Sequence, residues 1–462
     1  MSDFDPLQMD ERLGKAQRGV PNPVALSRQV AAADAAYHQW RERLRDDPEC
    51  EDDPLRAHRA VAGRTLFRDL DQLGEHDPLR VYLKRWVWCL AERRVNAGVL
   101  RRLSFERYHL QVPTPKETTP TSLSALLLGA LREPGGAASR LDHYLMHSHS
   151  FARLNTLLWE RRSELARRWG LVGYEPMIAA EPRATAESVL VRTARAWLDR
   201  TQDMATEYRR DSAAAWIELA LARDAQLEWP GRLNWRTLCE WFAEGDLLAG
   251  LRLASKRLPE RMAPASFLRG LARLGEEWSQ ALAPTDQFFV VAHDPFRVRV
   301  HSHAALFAGL LLNPSFLKRH LHADSVRLRA AQRPLWRAVL LESRARAFKV
   351  VMADAAQQGW PVLQEAFLAE AVQCFGFAVP QPAAGALLLS CEEAAAPLVA
   401  MMLAVTQAET LASSHDEDWF RNPRAIDQLR SEAVLPPPLT VDPGVLDRGG
   451  DVLYRRLAAA LG

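Results

Sequence analysis

The stretch Pro264-Ala-Ser-Phe-Leu-Arg-Gly-Leu-Ala-Arg-Leu-Gly-Glu-Glu-Trp278 decides the fold class of this chain. Its large apolar residues recur at alternating intervals of four and three, which places them on one face of an α-helix. These residues are Phe267, Leu271, Leu274 and Trp278, with Leu268 beside them. Proline is tolerated in the first helical turn, where its missing N–H removes no hydrogen bond, so we expect the helix to begin at Pro264. Because such a stripe must pack against another element, the stretch predicts a fold of packed helices.

The same spacing recurs along most of the chain. One further stripe consists of Leu190, Ala194, Trp197, Thr201, Met204 and Tyr208, and another, in a helix beginning near Pro78, of Leu79, Leu83, Trp86, Leu90 and Val95. Additional helices are predicted at 213–227, 325–357, 361–375, 387–412 and about 443–460. One run, Phe288-Phe289-Val290-Val291, has the composition of a strand. We therefore predict an all-α fold, a large multi-helix body with at most a minimal β element.

Proline clusters predict how the chain is divided. The run from Val112 to Ser122 contains three prolines, which remove hydrogen-bond donors and disfavour helix. Pro436-Pro437-Pro438 ends the helical pattern a second time. The predicted regions are an N-terminal helical region at 1–111, a Pro/Thr-rich linker at 112–122, a main helical body at 123–430, and a Pro-rich turn with a C-terminal helix at 431–462.

Composition and charge narrow the classes of partner. The 59 Lys and Arg residues nearly balance the 57 Asp and Glu residues, for a net charge of +2, so no strong overall field attracts nucleic acid or anionic lipid. The apolar stretches Ala304–Leu312 and Ala394–Val405 are shorter than a bilayer span of roughly 20 residues and predict buried helices. Five scattered cysteines without a Cys-x-x-Cys pair favour a reducing compartment. We predict a cytoplasmic protein that binds neither nucleic acid nor membrane.

Histidines form two clusters, of which the first is His143, His147 and His149. His143 and His147 are four residues apart, which puts two imidazoles on one helical face as in a helical zinc site. Tyr144 occupies the position of a water-activating glutamate. Asp142 or His149 could complete a ligand set, although His149 points to another face of the same helix. Capped or solvent-facing histidines are the alternative interpretation.

The second cluster consists of His293, His301, His303, His320 and His322. Positions two apart on a helix diverge by about 200°. His301 and His303 can therefore share a metal ion only if this segment is extended. The apolar run that follows favours helix at His303, which argues against a shared ion.

The eight residues Asp418-Trp-Phe-Arg-Asn-Pro-Arg-Ala425 resemble the closing motif of the thimet-like oligoendopeptidases, a family of zincin metallopeptidases. The resemblance implies a zincin-peptidase-like helical body. From the residues themselves, we expect Trp419 and Phe420 to anchor the segment in the core. Asn422 and Pro423 are expected to make a turn that ends a helix.

The resemblance also implies a zinc motif similar to His-Glu-Phe-Gly-His-Ala-Leu, which this chain lacks. Aligning the second histidine of the motif with His303 puts Arg299 at its first histidine and Val300 at its glutamate. A guanidinium has no free lone pair for zinc, and valine cannot accept a proton from water. Glu342 is the best match to the third ligand of the family, and without a ligand pair it is expected to pair with Arg344, Arg346 or a neighbouring helix.

We therefore predict a non-catalytic, peptidase-like scaffold, without a cofactor, that binds a peptide or protein partner through a former substrate channel. Arg299, His301 and His303 would line the floor of that channel, and some of the fourteen tryptophans its walls. One alternative is a metal-dependent hydrolase with a rearranged site; its ligands would come from His143, His147, His293, His301, His303 and Glu342. A second alternative is a helical adaptor or structural protein without a channel. The oligomeric state is left open.

The loss of the zinc motif predicts that the purified protein carries no stoichiometric zinc. Elemental analysis of protein prepared in metal-free buffer is the measurement. One tightly bound zinc ion per chain, whose removal abolishes peptidase activity, would contradict the prediction and favour the rearranged site.

Overall fold

The structure is a computed structural model. It describes residues 22–47, 49–50, 53–74, 77–113, 120–126, 137–171, 189–206, 234–243, 245–258, 264–375, 395–436 and 442–462. The helix predicted at 213–227 lies outside the described residues, as do Tyr208, Pro437 and Pro438.

Helices dominate the described chain, which confirms the predicted all-α class. The helices are α1 (Pro23–Arg43), α2 (Arg64–Asp69), α3 (Pro78–Tyr108), α4 (Ala137–His147), α5 (His149–Trp169), α6 (Val189–Arg200), α7 (Gln202–Thr206), α8 (Trp235–Glu240), α9 (Pro264–Ala281), α10 (Phe289–Ala292), α11 (Val298–Ala308), α12 (Pro314–His320), α13 (Ser325–Gln357), α14 (Trp360–Phe375), α15 (Ala395–His415), α16 (Pro423–Ala433) and α17 (Pro443–Leu461). Short 3-10 turns lie at Arg56–Ala62, Leu70–Gln72, Gly309–Leu312 and Trp419–Arg421. Strands β1 (Gln111–Val112) and β2 (Thr121–Ser122) form one antiparallel pair.

The strand predicted at Phe288–Val291 is wrong, because residues 289–292 form the short helix α10. Val290 and Val291 are buried in the core, and the carbonyl of Val290 accepts a hydrogen bond from the Trp86 indole at 3.2 Å. Strand propensity reflects packing on a pleated surface. No strand of the described chain pairs with residues 289–292. Their apolar side chains pack into the core from a helical turn instead of from a strand.

The predicted helix beginning at Pro78 is confirmed, with one correction to its buried face. The Asp77 side chain caps α3 by accepting a hydrogen bond from the Leu79 N–H at 2.9 Å. Leu83 and Trp86 are buried, as are Leu79 and Leu90, whereas Val95 is 39% exposed. The interval of five from Leu90 to Val95 rotates Val95 off the stripe.

Helix α15 passes the length and composition test for a membrane-spanning helix, the one helix of the described chain that does. It packs against α11, α13 and α17 inside the protein. Leu398, Val399 and Ala400 on it are buried, so the described part of the predicted buried stretch 394–405 has the environment of a core helix. The predicted cytoplasmic location stays a prediction.

Two apolar cores hold the helices together. The larger core draws on helices from α1 to α17, and the smaller one on α8, α9, α11, α12, α13, α15 and α16. Helix α9 buries the predicted stripe in the smaller core, where Phe267, Leu271, Leu274 and Trp278 are each at most 1% exposed. The described members of the stripe on α6 and α7 are buried or packed against the larger core.

The guanidinium of Arg344 on α13 is fully buried and is satisfied by neutral acceptors. Its Nε donates to the Cys374 carbonyl at 2.8 Å, and Nη2 donates to the Gln373 carbonyl at 2.6 Å and to the Gln202 side chain at 2.8 Å. Nη1 donates to the Leu198 carbonyl at 2.6 Å and to the Thr201 hydroxyl. One side chain therefore joins α13 to α6, α7 and α14 by five hydrogen bonds.

Arg344→Met is expected to lower the free energy of unfolding by about 3 kcal/mol or more, because several buried carbonyl and hydroxyl groups lose their donor. Urea unfolding followed by circular dichroism is the measurement. Arg329→Met is the matched control, since Arg329 is exposed on the same helix, and it should change stability by no more than about 0.5 kcal/mol. A loss below about 1 kcal/mol for Arg344→Met would show that the network contributes little.

Candidate functional site

Helices α11 and α15 pack side by side and form a wall between two cavities. The polar cavity has a volume of about 340 Å³ and is lined from α11 by Val298, Arg299, Ser302 and His303. The alanine-lined cavity has a volume of about 710 Å³ and is lined from the same helix by His301, Ala304, Ala305 and Ala308. Leu306 also lines the alanine-lined cavity. Apart from Leu306, each set has the three- and four-residue spacing of one helical face, so α11 presents different faces to the two cavities.

Helix α15 divides its residues between the cavities in the same way. Leu403, Thr406, Gln407, Thr410 and Leu411 line the polar cavity. Met401, Ala404, Val405, Ala408 and Ala412 line the alanine-lined cavity. The two helices therefore separate two cavities with different linings.

The alanine-lined cavity lies among α9, α11, α13, α15 and α17. Small side chains at facing positions create the volume of this cavity. The methyl group of an alanine is too short to fill the space between two helices. These alanines include Ala272, Ala304, Ala308, Ala338, Ala404, Ala408 and Ala460. The cavity falls within the range of about 300–1,000 Å³ that ligand pockets occupy.

Charged groups of both signs lie at the alanine-lined cavity. Glu342 pairs with Arg346 one helical turn away on α13, as the sequence predicted, and Arg346 also donates to the Pro397 carbonyl at 2.9 Å. Burial raises the pKa of Glu276, although Arg297, Lys256 and Arg273 oppose the shift. Burial also lowers the pKa of Arg456. Charges at Glu276 and Arg456 are thus less well solvated than in water.

Arg299 lies at the start of α11, on the polar cavity. It donates to the Leu435 carbonyl from Nη1 and to the Ala292 carbonyl from Nη2, each at 2.6 Å. The Asp294 side chain accepts hydrogen bonds from the N–H groups of Phe296 at 3.0 Å and Val298 at 2.8 Å, which ties down the first turn of the helix.

His303 lies one turn further along α11 and is 4% exposed. Its Nδ1 is 2.9 Å from the Ser279 hydroxyl, and its ring meets the Trp278 ring edge to face at 5.0 Å. Burial, reinforced by repulsion from Arg299, lowers its pKa to about 3. His303 is therefore a neutral imidazole at neutral pH.

The predicted channel floor is corrected by this geometry. Arg299 and His303 line the polar cavity, whereas His301 lines the alanine-lined cavity. Glu342, which the resemblance aligns with a third zinc ligand, lies on the alanine-lined cavity with His301. Two of the tryptophans, Trp336 and Trp419, line that cavity, and many of the others are core residues.

The histidines of the first cluster do not gather around one point. His143 and His147 lie together on α4 with ring centroids 4.4 Å apart, and His143 Nε2 contacts the Pro113 carbonyl oxygen. His149 begins the next helix, α5, which corrects the prediction that it shares a helix with the other two. Among the residues that the structure describes, no three His, Cys, Asp or Glu side chains are grouped to hold a metal ion.

The remaining histidines of the second cluster, His293, His320 and His322, line neither cavity. His320 stacks on Trp241 at 4.7 Å and contacts Phe316. Burial lowers the pKa of His293, again with repulsion from Arg299. The backbone of His322 has a positive φ of 49°.

The 418–425 segment anchors the chain as predicted, but its turn begins a helix. Trp419 and Phe420 are 3% and 1% exposed, and Trp419 also lines the alanine-lined cavity. Asn422 accepts a hydrogen bond from the Arg424 N–H at 3.1 Å and so caps the start of α16. Its amide donates to the His415 carbonyl at the end of α15, also at 3.1 Å. Asn422 therefore ends the 3-10 turn Trp419–Arg421, in line with the expected helix end, and also begins α16.

Sequence reasoning missed Arg85, which lines the polar cavity from α3 and is 5% exposed. The available signal was its place in Leu83-Lys84-Arg85-Trp86, where a charged pair interrupts a buried apolar run. Thr406 and Thr410 on α15 were missed as well. Nothing in the pattern of α15 distinguishes them from solvent-facing hydroxyls.

Comparison of the chain with protein-family models, curated proteins and solved structures gives no significant match. The resemblance of residues 418–425 to the oligoendopeptidase motif therefore stays a prediction. The geometry of the two cavities is what remains to support a function.

The pKa of His303 predicts a loss of stability at acidic pH. Between pH 6.5 and about 3 the unfolded chain binds a proton that the native His303 does not accept, so stability falls as the pH falls. From pH 7 to pH 5, wild type should lose about 2 kcal/mol more than His303→Gln.

Urea unfolding at the two pH values measures this difference. His149→Gln is the matched control, because His149 is exposed, and it should follow wild type. An equal pH dependence in wild type and His303→Gln would contradict the neutral, buried imidazole.

Proposed function

We propose that this protein is a non-catalytic helical scaffold that binds an apolar segment of a peptide or protein partner in the alanine-lined cavity. One observation carries the proposal: a cavity of about 710 Å³, lined mainly by alanine, leucine and valine, remains among five helices. A well-packed core leaves few voids larger than a water molecule. A space of this size with apolar walls is the kind of site that an apolar group enters.

The walls favour side chains, rather than extended backbone, as the bound group. Helices use their N–H and C=O groups internally, so the cavity offers few main-chain partners to an extended peptide. An amphipathic helix instead inserts apolar side chains at positions i, i+3 or i+4, and i+7 into such a groove. Ala304, Ala308, Ala404 and Ala408 leave space for those side chains on the wall between α11 and α15.

The charges beside the cavity favour a partner with polar residues around its apolar stripe. Glu342 and Arg346 are paired and partly exposed, and Glu276, Glu417 and Arg456 add two negative charges and one positive charge. Charged groups next to an apolar site contribute more to the choice and orientation of a partner than to affinity. Because the charges beside the cavity nearly balance, they disfavour a strongly acidic or strongly basic partner.

The positions that the resemblance aligns with a zinc site support a scaffold without peptidase chemistry. Arg299 stands at the first ligand and is held by two main-chain carbonyls. Glu342 stands at the third ligand and is paired with Arg346, on the opposite side of α11 from Arg299 and His303. The adaptor alternative assumes no channel, so the presence of two cavities favours the binding scaffold over it.

Selection from a displayed library of random peptides against the full chain is expected to enrich peptides with apolar residues spaced as on one helical face. Ala308→Trp and Ala408→Trp should each weaken binding of an enriched peptide at least tenfold, because an indole would occupy the cavity. Fluorescence polarisation of a labelled peptide is the measurement.

Ala330→Trp is the matched control, since Ala330 is exposed on α13 and lines neither cavity. It should leave the affinity unchanged. Binding that survives both cavity-filling substitutions, or a library that enriches no such spacing, would overturn the proposal.

A further inference from the structure

Two arginines from distant parts of the chain line the polar cavity. Arg85 comes from α3 and is 5% exposed, and Arg299 comes from α11 and is partly buried. A buried guanidinium is costly unless hydrogen bonds or an opposite charge compensate for lost solvation. The partners of the Arg299 guanidinium therefore indicate what the cavity is able to bind.

Arg299 retains unused capacity to donate hydrogen bonds. A guanidinium has five N–H donors, and the bonds to the Leu435 and Ala292 carbonyls use two of them. Within the described chain, no carboxylate forms an ion pair with Arg299. The two carbonyls fix the orientation of the guanidinium, and three N–H groups remain for a ligand.

The two carboxylates of the cavity wall already accept hydrogen bonds from neutral donors. Asp294 accepts from the N–H groups at the start of α11. Glu432 accepts from the Gln407 amide at 3.0 Å and from the Gln428 amide at 2.9 Å. Asp294 and Glu432 therefore stabilise the cavity wall through these hydrogen bonds. Their negative charges still offset part of the positive field of the two arginines.

Asp294 attracts the Arg299 guanidinium and offsets part of its field, but both neighbouring histidines still experience the positive charge of Arg299. Its charge lowers the pKa of both His293 and His303, in addition to the effect of burial. His303 is neutral at neutral pH and adds no charge to the cavity, so Arg299 is the group that attracts an anion there. An anionic group that enters the cavity gains an attraction that water does not fully screen.

The rest of the lining fits an apolar body attached to that anionic group. Phe296, Leu403, Leu411 and Val445 supply apolar surface, and Ser302 supplies a hydroxyl. A volume of about 340 Å³ is at the small end of the range for ligand sites. Carboxylates match the planar fork of an arginine with two parallel hydrogen bonds.

We infer that the polar cavity is a binding site for a small organic acid, with the carboxylate at Arg299 and the apolar body against Leu403, Leu411 and Val445. This site lies on the other side of the α11–α15 wall from the alanine-lined cavity. It does not depend on the proposed binding of a peptide.

Isothermal titration of the full chain with hexanoate and benzoate tests the site, with hexanamide, benzamide, acetate and inorganic phosphate as comparison ligands. The two apolar carboxylates should bind, and each amide should bind at least tenfold more weakly because it carries no charge. Acetate should bind weakly because it lacks the apolar body. Amides that bind as well as acids, or phosphate that binds as well as hexanoate, would overturn the inference.

Substitutions locate the binding. Arg299→Met should weaken hexanoate binding at least tenfold, and Arg299→Lys, which keeps the charge without the planar fork, should weaken it less. Circular dichroism verifies that both variants fold, and Arg456→Lys on the other cavity is the matched control that should not change the affinity. Hexanoate binding that is insensitive to both Arg299 substitutions would assign the acid to another place and overturn the inference.

Ala308→Trp separates the two sites. It should abolish peptide binding and leave hexanoate binding intact, because Ala308 lines only the alanine-lined cavity of the two. Loss of hexanoate binding in Ala308→Trp would contradict an independent acid site.

Discussion

Two helices approach each other only as closely as the groups between them allow, and at the centre of this protein the limit is set by Gly275. A methyl group on Gly275 would overlap the main-chain carbonyl of His303, so α9 and α11 are in contact backbone to backbone. Gly449 permits the same approach between α17 and the Met402 carbonyl of α15. These close contacts hold α11 and α15 in place from both sides, and the two cavities depend on that placement.

The contact at Gly275 also determines the rotation of α11 about its axis. It brings the Trp278 ring and the Ser279 hydroxyl of α9 against His303, which fixes the face that carries Arg299 and His303. Residues two positions apart on a helix then point to opposite sides. For this reason His301 lies on the alanine-lined cavity, and the two cavities are separated by the thickness of one helix.

Arg344 and Arg299 show how one type of side chain serves two purposes. Arg344 uses all five N–H donors on neutral protein acceptors, which makes it a fixed joint between helices. Arg299 uses two donors on carbonyls and has three left beside a cavity. The difference lies in how many protein acceptors surround each guanidinium.

Local spacing by itself determined the helices, because the three- and four-residue recurrence of apolar side chains is a property of adjacent residues. Helix α13 at 325–357 is predicted to the residue, the Glu342–Arg346 pair follows from one helical turn, and the burial of Trp419 and Phe420 follows from their size. Only the tertiary structure decided that 289–292 is helical, that Asn422 begins a helix, and that Arg299 and His301 face different cavities. The cap at Asn422 is local, whereas the other outcomes depend on contacts between segments far apart in the chain, such as Trp86 with Val290 or Gly275 with His303. Spacing within one segment carries no information about which surfaces meet.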